Sequence, residues 1–413
     1  MSRVRNWVLG TACASFLWAT GCGPDGGLAR MEASLGALPT LAHQTRVPFT
    51  DCFKENTDNP FSKENLSNPT LAAVRDTISW DETYSQVQKL PIILVPGYLG
   101  TDHMNVVFTE MDYWYGIVDA LKKVGFTQVT AAKLDAAGYS SDGPLGDSTL
   151  RYSRIKPVPN GYRGRGHQLV EIIEEVLNKT GAPKVNLIAH SQGALTARWV
   201  ISNMGMADKV NALISLAGPH HGVPLTELAA GTQGLPLWLI DPVERIMDLF
   251  FGGLCESENS DAHGSHVEMW PTYMAEYFNP ATSDMPGVKY VSVANKLNDL
   301  PGTKLSPYLL SPFWATHTLY AMKQFGIDSP GPDDGLVPVA SSRGFDNGAW
   351  MYLGELLGKK VIPGTGIKSK IGVYWGVDHA GFMNFPLGLT KYFHFDAKTF
   401  FVDLARLLNA YSD

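Results

Sequence analysis

The chain has 413 residues, 45% hydrophobic and 18% charged, with 33 Lys and Arg against 40 Asp and Glu. Such a chain buries a large core and is not disordered. Its net charge of −7 and scattered basic residues exclude nucleic acid as a partner, because nucleic-acid binders gather Lys and Arg on one face.

Residues 1–21 read as an export signal. Arg3 and Arg5 precede an apolar run from Trp7 to Ala19 that is too short to span a bilayer. The run ends in "ATGC", which matches a bacterial lipoprotein cleavage box with Ala19 in place of a larger aliphatic. Cys22 is therefore the candidate lipidated residue, and an ordinary signal peptide cut nearby is the alternative. The expected destination is the cell envelope by a lipid anchor, or the medium. Export permits disulfides. With Cys13 removed and Cys22 lipidated, Cys52 and Cys255 remain as one candidate pair. No cysteine spacing suits a zinc site.

Residues 22–89 are polar, weakly patterned and broken by "PDGG", "NPFS" and "SNPT", and read as a tether or arm. From residue 90 to 413 the pattern is that of one domain. "LPIILVPG" is a buried-strand run ended by Pro and Gly; "MDYWYGIVDALKKVG" has helix-spaced apolar residues and Gly125 as a stop. "TQVTAAKL" is a strand, "GHQLVEIIEEVLNKTG" an amphipathic helix, "KVNLIAH" a strand, "GALTARWVISNM" a helix and "VNALISLAG" a strand. Further strands are expected at "VKYVSVAN", "GLVPVAS" and "IGVYWG", and a last helix at "DAKTFFVDLARLLNAYS". Alternating strands and helices predict an α/β fold with a mostly parallel sheet covered on both faces.

The chemistry centres on "KVNLIAHSQGALTAR". A serine between a strand and a helix sits on a tight turn that lifts its hydroxyl above the sheet. Ala189 stands where a glycine is usual, adding one methyl, and Gly193 keeps the second small position. Ser191 is the candidate nucleophile. It needs a base, and in this architecture the order is Ser, then Asp or Glu, then His. "GPDDGLVPVAS" offers Asp333 or Asp334, after which only His379 and His394 remain. His379, in "YWGVDHAGFMN", follows a strand and precedes glycine by two residues, as a catalytic loop requires; His394 lies among aromatics and reads as packing. His190 reads as structural, leaving the strand on the side opposite Ser191, and "GPHHG" as a turn. Asp378 adjoins His379 and is poorly placed to bond its Nδ1. The oxyanion donors are the backbone N–H groups of Gln192, after the nucleophile, and of Tyr98, in the "LVPGYLGTD" loop where Gly97 permits a sharp turn.

Taken together, "PIILVPGYLGTD", "YWYGI", "GRGHQL", "KVNLIAHSQGALTAR", "GPHHG" and "DDGLVPVASS" resemble the bacterial true lipases of the Pseudomonas–Burkholderia type, in the α/β-hydrolase superfamily. The likeness spans most of residues 90–413 and is densest before Gly222. It implies an α/β-hydrolase fold and acyl-ester hydrolysis by Ser191, His379 and Asp334, the acid that directly precedes Gly-Leu-Val. Members of this family often need a dedicated folding chaperone. Pro96 replaces the family's His before the oxyanion glycine, and Ala340 replaces a disulfide cysteine. Gly381 stands where the family has an Asp calcium ligand, so no cofactor is expected, with calcium held by other ligands as the alternative. "LGDSTLRYSRIKPVPNGYR" reads as an insertion.

A lid is expected over about residues 223–256, where these lipases carry a mobile cap. Asp241 and Pro242 start a helix pattern with Val243, Ile246, Met247, Phe250 and Leu254 on one face, widened by Phe251. Glycines 231, 234, 252 and 253 bracket it.

The predicted function is therefore a serine ester hydrolase acting through an acyl-enzyme on lipid or another water-insoluble ester. A polyester depolymerase or an acyltransferase would use the same triad. A non-catalytic surface binding protein of this fold is the reading from another class, and a complete triad argues against it.

Overall fold

The structure, a computed structural model, describes residues 88–98, 100, 103–106, 109–153, 155–229, 262–297, 332–345, 347, 349–352, 373–375, 377–384 and 397–410. The strands among them are β1 (Ile92–Val95), β2 (His103–Val106), β3 (Thr109–Asp112), β4 (Val129–Ala131), β5 (Val185–His190), β6 (Val210–Leu216), β7 (Lys289–Lys296), β8 (Trp350–Tyr352) and β9 (Val373–Trp375). The longer helices are α1 (Ile117–Lys123), α2 (Arg165–Thr180), α3 (Gln192–Asn203), α4 (Ala262–Glu268) and α5 (Ala397–Ala410).

Seven strands form one sheet in the order β4-β1-β5-β6-β7-β8, with β9 also paired to β7. Every pairing in it is parallel. The expectation of a parallel sheet covered on both faces holds, and the alternation of side chains shows how. Ile92, Leu94, Ile188, Ile214 and Val291 point to one face, where they meet Ile117 and Leu121 of α1 and Phe401, Leu404 and Leu408 of α5. Ile93, Val95, Leu187, Ala189 and Leu213 point to the other, against Leu169 and Ile173 of α2 and Ala197 and Ile201 of α3. Both faces being dry, β1 reads as a continuous apolar run and β5 and β6 as largely apolar ones. Each Val, Leu, Ile or Phe among them contributes about 1.5–3 kcal/mol by leaving water. The α2 helix stops at Gly181, whose φ of 67° suits a left-handed cap, its N–H bonding Leu177 O at 2.8 Å.

Two expectations are corrected. "GLVPVAS" is not a strand: Asp333 and Pro338 form an isolated bridge, and Val339–Ser342 is a helical turn. The N–H groups of Leu336 and Val337 go to the Asp334 carboxylate, and Pro338 has none to give, so no ladder can extend. The N-terminal part of "MDYWYGIVDALKKVG" is not helical either, since Met111 and Asp112 belong to an antiparallel hairpin, β2–β3, that carries no Asn-Gly or Asp-Gly signal. The stretch read as an insertion docks on residues 271–281: Leu145 N donates to Tyr273 Oη at 2.9 Å, Tyr152 Oη to Glu276 at 2.6 Å, and Tyr277 Oη to Asp147 at 2.9 Å.

Candidate active site

Ser191 joins β5 to α3 with φ 52° and ψ −131°. That is a backbone region that only glycine visits freely, and holding a serine there costs about 1–3 kcal/mol. The turn is fixed by its surroundings: Ser191 N–H donates to Leu216 O on β6 at 2.9 Å. Strand and helix come so close that a Cβ on Gly193 would lie 2.5 Å from Pro96 O. Ala189, at the other flanking position, is fully buried, so the departure from G-x-S-x-G adds its methyl to the core between the sheet, α2 and α3.

His379 lies on residues 377–384, beyond β9. Its Nε2 is 2.8 Å from Ser191 Oγ and its Nδ1 is 2.8 Å from Asp334 Oδ2. A carboxylate can only accept, so Nδ1 carries the proton and Nε2 offers its lone pair to the serine hydroxyl. Asp334 is fully buried. Its Oδ1 accepts from Leu336 and Val337 N–H at 3.0 and 2.7 Å, and its carbonyl accepts from His379 N–H at 2.9 Å. The acid thus sits in a turn rather than at a regular strand end. Asp333 has a different job: its Oδ1 accepts from Gly335 N–H at 2.8 Å and its carbonyl from Leu297 N–H, closing the same turn. Asp378 contributes its carbonyl, which accepts from Asn295 Nδ2 at 2.9 Å. His220 and His221 lie on a turn, as expected, bonded to Ser215 Oγ and Gly344 O at 2.8 Å each.

The loop after β1 presses on the nucleophile. A Cβ on Gly97 would lie 2.7 Å from Ser191 Cβ, so only glycine fits. Tyr98, the first candidate oxyanion donor, follows Gly97 in this loop, and Gln192, the second, opens α3 directly after Ser191. The loop is gripped by a buried arginine. Arg165 donates to the carbonyls of Pro96 and Gly97 at 3.0 and 2.9 Å and to Gln192 Oε1 at 2.8 Å. Gln192 Nε2 in turn donates to Glu268 Oε2 at 2.8 Å and to Gly138 O at 2.9 Å. Glu268 also accepts from Ser140 N–H and Oγ–H, at 2.7 and 2.9 Å. Burial raises the Glu268 carboxyl and lowers the Arg165 guanidinium, while each favours the charged form of the other.

Sequence reasoning missed this second layer. Arg165 stands in "GRGHQL" and Tyr113 in "YWYGI", motifs noticed without a role, whereas Glu268 belongs to no motif. His190 is buried and structural, as expected, and it is also tied to the base: its ring lies 4.8 Å from the His379 ring and its Nε2 bonds His379 O at 2.9 Å. Turning opposite to Ser191 brings it beneath the base-bearing loop.

At the family's calcium-ligand position the chain has Gly381. Gly381 offers no carboxylate, and a Cβ there would lie 2.3 Å from Val377 Cγ1. Among the described residues no group of three or more His, Cys, Asp or Glu could hold a metal ion. The lid residues Val243, Ile246, Met247, Phe250, Phe251 and Leu254, together with Cys22, Cys52, Cys255 and His394, lie outside the described residues.

Residues 91–238 match the α/β-hydrolase fold family. The chain is similar to a triacylglycerol lipase of Burkholderia plantarii, 39% identical over 37% of this chain and 35% of that one. It is similar also to a triacylglycerol lipase of Pseudarthrobacter phenanthrenivorans, 40% identical over 34% of this chain and 36% of that one. The chain thus spans about a third of the length of these curated relatives. Among solved structures, the mature form of the Bacillus licheniformis lipase BlEst2 superimposes with a TM-score of 0.44 at 18% identity, covering 74% of this chain and 93% of that one.

Proposed function

We propose, on the premise of an α/β-hydrolase fold over residues 91–238, that this protein is a serine ester hydrolase acting on lipid or other water-insoluble esters. The observation that carries the reading is the unbroken hydrogen-bonded run from Ser191 Oγ through His379 to Asp334, at 2.8 Å for each link. Ser191 attacks the ester carbonyl carbon while His379 Nε2 takes the hydroxyl proton. The carbonyl oxygen gains negative charge and is received by the N–H groups of Tyr98 and Gln192, each worth roughly 3 kcal/mol in the transition state. When the carbon–oxygen bond to the alcohol breaks, Nε2 returns the proton to the leaving oxygen. Water then repeats the sequence on the acyl-serine, with His379 as base and the acid released as product. Asp334 keeps the imidazole in the Nδ1–H form throughout and balances the imidazolium.

A lipid substrate is supported by the names of the curated relatives, both triacylglycerol lipases. A polyester depolymerase or an acyltransferase would share every step up to the acyl-enzyme and differ in what enters next. The deciding experiment is fluorophosphonate labelling of wild type and Ser191→Ala, followed by p-nitrophenyl esters from acetate to palmitate, emulsified triglyceride and a polyester film. Labelling and turnover confined to wild type are expected. Activity in Ser191→Ala within tenfold of wild type would remove the nucleophile assignment.

A further inference from the structure

We infer that Tyr113 and His190 form a positioning relay that ties the oxyanion loop at Gly97 to the backbone of the base-bearing loop at His379. The inference rests on the hydrolase reading above and adds to it two residues that touch no substrate.

Three hydrogen bonds make the relay. Gly97 N–H donates to Tyr113 Oη at 2.9 Å, Tyr113 Oη pairs with His190 Nδ1 at 2.6 Å, and His190 Nε2 pairs with His379 O at 2.9 Å. Only one arrangement of protons satisfies all three. The His379 carbonyl can only accept, so Nε2 of His190 carries the ring proton. Nδ1 is then a lone pair, and the Tyr113 hydroxyl donates to it while accepting from Gly97. Direction is therefore fixed from one loop to the other. A charged His190 would leave the Tyr113 hydroxyl proton without its acceptor. Burial holds His190 neutral, pushing it well below its ordinary value, and pushes the Tyr113 phenol up.

Both ends of the relay matter to chemistry. Gly97 immediately precedes the proposed donor Tyr98 and packs on Ser191 Cβ, and the Tyr113 ring lies under the loop, where a Cβ on Gly100 would meet Cε2 at 2.1 Å. At the other end, the His379 carbonyl belongs to the residue whose imidazole must stay 2.8 Å from Ser191 Oγ. Tyr113, Trp114, His190 and Phe382 enclose the relay, with ring contacts at 5.1 to 6.3 Å, and Tyr113 and His190 are 2% and 1% exposed. Water cannot replace a lost link there, so a missing partner leaves its neighbour unsatisfied. A displacement of about 1 Å at a reacting group lowers a rate about a hundredfold.

The test uses variants that remove one link each. Tyr113→Phe removes the hydroxyl. His190→Gln keeps a donor near the Nε2 position, His190→Asn keeps an acceptor near Nδ1, and His190→Ala keeps neither. With active sites titrated by fluorophosphonate, His190→Ala is expected to lose about a hundredfold in kcat per titrated site with KM within about threefold. Gln and Asn should recover part of that loss. The double variant Tyr113→Phe, His190→Ala should be no slower than His190→Ala, because links in series fail together. Unchanged kcat per site, with only fewer folded molecules, would reduce both residues to packing and overturn the inference; so would multiplicative losses in the double variant. A second measurement is independent of activity: histidine-15N NMR should show His190 as the neutral Nε2–H tautomer at pH 7, with its Nδ1 resonance displaced in Tyr113→Phe. The Nδ1–H tautomer would overturn the relay. Wild type that neither labels nor turns over any ester would sink the hydrolase reading instead, and the tautomer would still decide the relay.

Discussion

His379 Nδ1 donates to Asp334 Oδ2 at 2.8 Å across 45 residues of sequence, while the neighbouring carboxylate of Asp333 turns to its own loop and accepts from Gly335 N–H. Two adjacent aspartates thus do two different things. Asp334→Asn is expected to lower kcat by about three to four orders of magnitude, since an amide can present N–H to Nδ1 and favour the wrong tautomer. Asp333→Asn keeps an oxygen for Gly335 and should stay within about tenfold of wild type. Steady-state kinetics on a soluble p-nitrophenyl ester checks this, and equal losses would undo the assignment.

Gly97 touches the nucleophile, so the smallest side chain should be costly. Gly97→Ala places a methyl 2.7 Å from Ser191 Cβ and 3.0 Å from His190 O. Either the loop or the serine must shift, and kcat should fall about a hundredfold. A variant with wild-type kcat would show that the loop yields freely and holds no fixed oxyanion geometry.

Arg165 and Glu268 are buried charges joined through Gln192. Arg165→Met strips the donors from the Pro96 and Gly97 carbonyls and leaves Glu268 uncompensated, a loss of about 3–5 kcal/mol. Glu268→Gln added to it should restore part of that stability, because the orphaned charge goes with it. Chemical denaturation of the single and double variants measures the effect, and a double variant less stable than Arg165→Met would contradict it.

His190 and His220 are both buried, and burial lowers each well below the ordinary histidine value. In the unfolded chain both take up protons near pH 6.5; in the folded one they do so only at lower pH. Stability is therefore complete above about pH 6.5 and falls with pH toward the depressed folded values, by about 1.4 kcal/mol per pH unit for each histidine. Thermal melts from pH 8 to 5 should show a falling Tm, less steeply in His220→Gln. A flat profile would show that neither group is held neutral.

The lid expected from the sequence makes a separable prediction. Phe250→Ser with Phe251→Ser should reduce hydrolysis of emulsified long-chain ester far more than of a dissolved short-chain one if the apolar face read from this segment meets the lipid surface. A proportional loss on both substrates would favour a core helix.

What the sequence made legible follows the range of the forces involved. β1, β5 and β6 stood out because strands buried on both faces must be mostly apolar, and Ser191 because the turn between a strand and a helix needs small residues two positions to either side. His379 emerged from chain order and the glycine two residues beyond it. The choice of Asp334 over Asp333 needed the family resemblance, since which of two adjacent carboxylates faces a histidine depends on a turn closed by Leu336 and Val337. "GLVPVAS" has strand-like residues, but its amides are claimed by that carboxylate. The meeting of the Arg165, Gln192 and Glu268 side chains was hidden because it depends on three separate elements, and no spacing along the chain records it.

The backbone of Ser191, held at φ 52°, has a consequence for how this chain can drift. Glycine would occupy the same turn without steric penalty, so Ser191→Gly should be more stable than wild type by about 1–3 kcal/mol. Stability and chemistry therefore pull in opposite directions at one codon. A lineage that needed only a folded surface protein would gain by discarding the hydroxyl, whereas one that needed the proposed nucleophile would carry the strain.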